Sequence, residues 1–120
     1  MQEDVMRYLA LIYTPESTEA PPEGEARQMM AEYGAYTEMI KDKGAYLAGE
    51  GLQPSSTATT VRVNNGTVST TDGPFAETKE QLGGYYLLNC KDLDEAIELA
   101  SKIPGARSGA VEVRPVIEFA

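Results

Sequence analysis

Over residues 5–13 an extended backbone would place Val5, Arg7, Leu9, Leu11 and Tyr13 on one face and Met6, Tyr8, Ala10 and Ile12 on the other. Both faces are mostly apolar, which predicts a strand covered on both sides. A connector at residues 14–25 follows, punctuated by Pro15, Pro21, Pro22 and Gly24 and rich in glutamate. The period then changes. Ala26, Met29, Met30, Tyr33, Tyr36, Thr37 and Ile40 recur at three- and four-residue spacing, the stripe of an amphipathic helix that Gly44 ends. Residues 45–52 read as a second strand, in which Glu50 stands between Gly49 and Gly51 and is the carboxylate able to face a cleft.

Residues 61–63 and 68–70 flank Asn64, Asn65, Gly66 and Thr67, and Asn-Gly is the preferred pair for a two-residue type I′ hairpin turn. A turn centred on Asn65 and Gly66 pairs Val63 with Val68 and Val61 with Thr70, and the resulting apolar face is expected to lie against the body. Residues 85–90 form a strand apolar on both faces. Asp92 and Glu95 then make an N-cap and its capping-box partner for a helix with the stripe Leu93, Ala96, Ile97 and Ala100, stopped by Pro104 and Gly105. In a last strand Val111, Val113, Ile117 and Phe119 alternate with Glu112, Arg114 and Glu118. Pro115 lacks a donor for the ladder, so this strand belongs at an edge or carries a bulge there.

The order strand, helix, strand, hairpin, strand, helix, strand predicts an α+β fold, a ferredoxin-like split βαβ plan with an inserted β-hairpin. Two helices cover one face of the central sheet. Since the first and third main strands are apolar on both faces, the remaining face needs a partner, and a second copy of the chain is the economical one. A homodimer is expected.

At 120 residues the chain is one domain able to bury about two thirds of its unfolded surface. Residues 1–5 read as an extension and 6–120 as the domain. One cysteine, Cys90, excludes an internal disulfide; in its apolar run it reads as a buried small hydrophobe and fits a reducing compartment. No apolar run is long enough to span a bilayer, and the first residues lack a basic leader, so a cytoplasmic protein is expected. A formal charge of −9 repels a phosphate backbone and argues against direct nucleic-acid binding. The chain has no histidine. Histidine-based triads and dyads are excluded, as is histidine-ligated zinc, and no metal or cofactor is expected.

Candidate chemistry concentrates at residues 71–86, where Asp72, Glu77, Lys79 and Glu80 lie among Gly73, Pro74, Gly83 and Gly84 between two strands. Asp72 followed by Gly73 and Pro74 is ordinary turn chemistry. Neighbouring carboxylates also raise one another's pKa, which suits general acid work, while Lys79 acts in the opposite direction. Both readings stay open. Gly83 and Gly84 allow close approach of backbone to a ligand or a partner, or simply relieve crowding where the loop enters its strand. Arg114 is able to hold a carboxylate bidentately or to pair with Glu112 or Glu118.

With Glu77, Thr78, Lys79 and Glu80, and with Gly83, Gly84 and Tyr85, the run Asp72, Gly73, Pro74, Phe75 closely resembles the DGPF-containing proteins, a branch of the YCII-related family. The resemblance extends from Met6, Arg7 and Tyr8 to the segment 111–116. It implies a dimeric α/β barrel. Some YCII-related enzymes are thought to use a histidine and aspartate dyad with the histidine on the first helix; here Glu32, Tyr33 and Tyr36 occupy that region. DGPF proteins are often encoded beside extracytoplasmic-function sigma factors, which implies a regulatory setting and a sigma-factor association. The expected function is a binding or sensing module with a small-molecule cleft beside the loop, ligand contacts falling to Gly73, Pro74, Phe75, Lys79, Glu80, Gly84, Tyr85 and Arg114. The alternative is a histidine-independent lyase, isomerase or dehalogenase using Asp72 or Glu77 as acid or base. A scaffold presenting its acidic surface to a sigma factor is a third.

Overall fold

The computed structural model describes residues 5–17 and 21–119; most of the expected N-terminal extension and the middle of the first connector lie outside the described residues. The elements are strand β1 (Met6–Pro15), helix α1 (Glu23–Asp42), strands β2 (Tyr46–Gly51), β3 (Thr59–Asn64), β4 (Thr67–Asp72) and β5 (Glu80–Cys90), helix α2 (Leu93–Ser101) and strand β6 (Ala110–Pro115). Four strands form one sheet in the order β2, β5, β1, β6, and β3 pairs with β4 alone. Every pairing is antiparallel. This is the split βαβ plan with its inserted hairpin.

Alternation along the two central strands decides which face carries the core. Tyr8, Ala10 and Ile12 of β1 and Tyr86, Leu88 and Cys90 of β5 are buried, together with Tyr36 and Ile40 of α1 and Ala96, Leu99 and Ala100 of α2. Each fully buried large side chain, among them Ile40, Leu88, Leu99 and Ile103, contributes about 1.5–3 kcal/mol of burial. The residues between them, Leu9, Leu11, Tyr13, Tyr85 and Leu87, occupy the opposite face and are only half-buried. The register aligns Glu112, Leu11, Tyr85 and Glu50 in one row across that face.

Local signals act as expected at several points. Asp92 accepts from the Glu95 amide at 2.9 Å while the Glu95 carboxylate accepts from the Lys91 amide at 2.8 Å, reciprocally capping α2. Asn65 and Gly66 have φ of 50° and 79°, the signature of the type I′ turn, and Val63 pairs with Val68 and Val61 with Thr70. Pro115 ends β6, an edge strand.

Three expectations are corrected. The valine face of the hairpin does not lie against the body: Val61, Val63 and Val68 are 60, 61 and 65% exposed, because the hairpin makes its own two-stranded sheet and projects from the domain. The buried stripe of α2 is Ala96, Leu99 and Ala100, with Leu93 and Ile97 exposed, since the helix is rotated to bring Leu99 over the sheet. Ile117 and Phe119 do not prolong the last strand; they are exposed beyond Pro115, after the Val116 amide has donated to the Arg7 carbonyl at 2.9 Å.

Candidate functional site

Helix α1 is fully buried only at Tyr36 and Ile40, in its C-terminal half; Met29 and Met30 are exposed. The reason lies in the sheet beneath. Across its helix-facing surface one row consists of Tyr8, Leu88 and Tyr46, the next of Ala10, Tyr86 and Gly49, and the third of Ile12, Gly84 and Gly51. Side-chain volume thins from the first row to the third, so the space between α1 and the β2–β5 corner is not filled. The result is a cleft of about 580 Å³, within the size range of small-molecule sites.

Its floor is Gly49, Gly51 and Gly84, and Met30, Tyr33 and Thr37 of α1 form its roof. Tyr86 and Tyr46 close one end, and Thr14, Gly83, Glu50 and Tyr85 contribute at the rim. A Cβ added at Gly51 meets nothing within 4 Å, whereas one at Gly49 would stand 2.7 Å from the Tyr86 ring. Hence Gly51 borders open space and Gly49 a close contact.

Hydroxyl groups supply the polar character of the cleft. Thr37 Oγ1 and Tyr86 Oη are 2.8 Å apart and share one hydrogen bond, whichever donates, so the pair retains one proton for a further acceptor. Tyr33 Oη accepts from the Gly105 amide at 3.1 Å, which leaves its own proton to donate. Burial pushes the Tyr33 phenol above the ordinary tyrosine range, and keeps it a donor at neutral pH. Behind it, Tyr36 donates to the Leu99 carbonyl at 2.9 Å and packs edge-on to Tyr86 with ring centroids 5.1 Å apart. These contacts hold Tyr86, the end wall, in place.

Of the residues singled out from sequence, Gly84 and Tyr85 line the cleft, as does Glu50. Asp72, Gly73, Pro74, Phe75, Glu77, Lys79, Glu80 and Arg114 are not among its lining residues. Asp72 ends β4 and is exposed; its side chain makes no hydrogen bond or ion pair with another described residue. The turn is held by backbone instead: the Gly73 amide donates to Ala58 at 2.7 Å and Thr60 Oγ1 donates to the Gly73 carbonyl at 2.8 Å. Phe75 is 74% exposed and stacks on Arg62 at 5.1 Å. Among the described residues no ion pair joins Asp72, Glu77, Lys79 and Glu80. Glu80 pairs in register with Pro15 at the start of β5. Arg114 is exposed on β6 and donates to Glu112 at 2.6 Å, a bond that raises its guanidinium pKa further. Cys90 is fully buried, and burial pushes its thiol up to about 11. No group of three or more acidic or cysteine side chains suited to a metal occurs among the described residues.

A family model for the YCII-related domain matches residues 6–120. The chain belongs to the YCII-related family. It is also similar to an uncharacterized protein of Rhizobium meliloti (strain 1021), 39% identical over 114 residues that cover 92% of each chain. In this YCII-related protein the region of the first helix singled out from sequence divides by role. Tyr33 roofs the cleft, Tyr36 is buried beside it, and Glu32 turns outward to Arg107 at 2.6 Å. Sequence reading placed Tyr33 and Thr37 on the helix stripe and missed their partnership with Gly49, Gly51 and Tyr86. The available signal was the glycine pair at 49 and 51 facing the glycine pair at 83 and 84, legible only once the strands are known to be neighbours.

Proposed function

We propose that this YCII-related protein, on its loop sequence a member of the DGPF branch, is a binding or sensing module whose small-molecule ligand sits between α1 and the β2–β5 corner. The observation that carries the reading is the cleft of about 580 Å³ floored by backbone rather than side chains. A packed interior ordinarily tolerates few voids larger than a water molecule, and this opening is lined by hydroxyls with unspent donor capacity. The segment 72–80 leads directly into β5, whose Gly83 and Gly84 border the cleft, so the loop stands one strand segment away from the ligand. Its part is that of a neighbouring element which a ligand or a partner engages.

In this proposal the working form is a homodimer. The half-buried row of Leu9, Leu11 and Leu87 on the face opposite the helices supports it, since an apolar sheet surface of this kind is usually covered. The compartment is cytoplasmic and the setting is regulation linked to an extracytoplasmic-function sigma factor, the latter resting on the resemblance to DGPF proteins. Among the described residues no helix is long and apolar enough to cross a membrane. The test is a metabolite-library thermal-shift screen on the parent protein and on Gly51→Leu, which fills the floor. Compounds that stabilise the parent and leave Gly51→Leu unmoved support the reading. If nothing stabilises the parent, or every hit shifts both proteins alike, the cleft is not the ligand site.

A further inference from the structure

We infer that the cleft selects an uncharged or cationic molecule with a flat aromatic body and rejects anions. The inference rests on the reading of the cleft as a ligand site and concerns the class of ligand it takes. Its first support is charge. Among the described residues no lysine or arginine lines the cleft, and Glu50, the one acidic residue among its lining, is set by the strand register on the opposite face of the sheet. Cations close to its walls are already engaged: Arg107 holds Glu32 at 2.6 Å, and Lys41 lies over the ring of Tyr46 at 5.1 Å. The chain as a whole carries a formal charge of −9. A carboxylate or phosphate entering here would give up hydration with no counter-charge to replace it and against an adverse field.

Shape is the second support. With Gly49, Gly51 and Gly84 beneath, the floor carries no side chains of its own: Gly51 is exposed, Gly84 is buried and Gly49 lies against the Tyr86 ring. The rings of Tyr33, Tyr46 and Tyr86 stand around it, presenting aromatic faces and edges. Aromatic bodies pack on such rings in offset or edge-to-face geometry, and cations gain from the ring faces. The polar anchors are donors: the free proton of Tyr33 and the one retained by the Thr37 and Tyr86 pair. They call for hydrogen-bond acceptors on the ligand, such as a ring nitrogen or a carbonyl, and need no negative charge.

Aromatic fragments prepared as matched amine, amide and carboxylate forms test this by ligand-observed NMR on the parent, on Gly51→Leu and on Thr37→Val. The amines and amides should bind the parent, lose binding in Gly51→Leu and weaken several-fold in Thr37→Val, with the carboxylates about tenfold weaker or silent. Thr37→Val removes a hydroxyl without adding bulk, and decides the matter should Gly51→Leu fail to fold. Carboxylates that bind as well as their amines, and lose binding in the same variants, would overturn the charge selection while leaving the cleft as the ligand site. Binding by none of the fragments overturns the inference, and the metabolite screen then decides separately whether the cleft binds any ligand.

Discussion

Gly49 lies against the ring of Tyr86 so closely that a methyl group in place of its hydrogen would stand 2.7 Å from Cδ1 and 2.9 Å from Cε1. The contact fixes one end of the cleft. It lets the Tyr86 ring pack against the edge strand, with its hydroxyl 2.8 Å from that of Thr37. Gly49→Ala forces ring or strand to move and should destabilise the fold by about 1–3 kcal/mol, the usual range for overpacking. Gly51→Ala, two residues along and bordering open space, should stay within about 0.5 kcal/mol. Urea denaturation of the two variants side by side is the check, and equal midpoints would refute the difference.

Asp72 and Gly73 divide a turn between them unequally. Since the Asp72 side chain bonds to no described residue, Asp72→Asn should leave the melting temperature unchanged within error, and should also leave cleft ligands bound. Gly73 has φ of 101° and donates its amide to Ala58, so Gly73→Ala should cost about 1 kcal/mol or more. Loss of ligand binding in Asp72→Asn alone would bring the loop into the site.

Cys90 makes stability fall in alkali. Its thiol is pushed up to about 11 in the folded state by burial, from an unfolded value near 9.0. The unfolded chain therefore releases this proton first as pH rises. Stability is fully present below about pH 9 and is lost between there and about pH 11, by on the order of 2 kcal/mol. Urea midpoints measured at intervals from pH 8 to 11 should fall more steeply for the parent than for Cys90→Ala. Parallel curves would contradict the assignment.

Tyr36 contributes through one bond and one ring. Tyr36→Phe keeps the edge contact with Tyr86 but leaves the Leu99 carbonyl with the Lys102 amide at 3.2 Å as its donor, so the loss of the phenol bond should cost about 1 kcal/mol. Thermal melts resolve this readily, and an unchanged melting temperature would mean that the Lys102 amide alone satisfies the carbonyl.

The open sheet face should govern assembly. Leu11 stands in the middle row of that face, between Glu112 and Tyr85. Leu11→Lys should convert the proposed dimer to a monomer in light scattering at micromolar concentration, with the helix-side core intact by circular dichroism. A parent protein that is already monomeric would remove the basis for the proposed dimer.

Much of the architecture was determined by local chemistry and is legible in order along the chain. The two-residue period of β1 and β5, the three-four period of α1, the Asn65 and Gly66 turn and the Asp92 cap each specify their element because each acts within a few residues of itself. Pro115 likewise confines β6 to an edge of the sheet. Rotation and depth were decided only by tertiary packing. The α2 stripe is compatible with more than one rotation over the sheet, and Leu99 rather than Ile97 became the buried anchor. The hairpin register follows from its turn, but whether the valines are covered depends on where the hairpin is carried, and it is carried outward. The cleft belongs wholly to this second class. Gly49, Gly51 and Gly84 are unremarkable as single residues, and form an opening only because antiparallel pairing of β2 with β5 sets them side by side under a helix whose tyrosines come from a third segment. Absent side chains leave no periodic signal, whereas a density of charged residues such as that at 72–80 does, and that asymmetry is why sequence drew attention to the loop and the fold to the cleft.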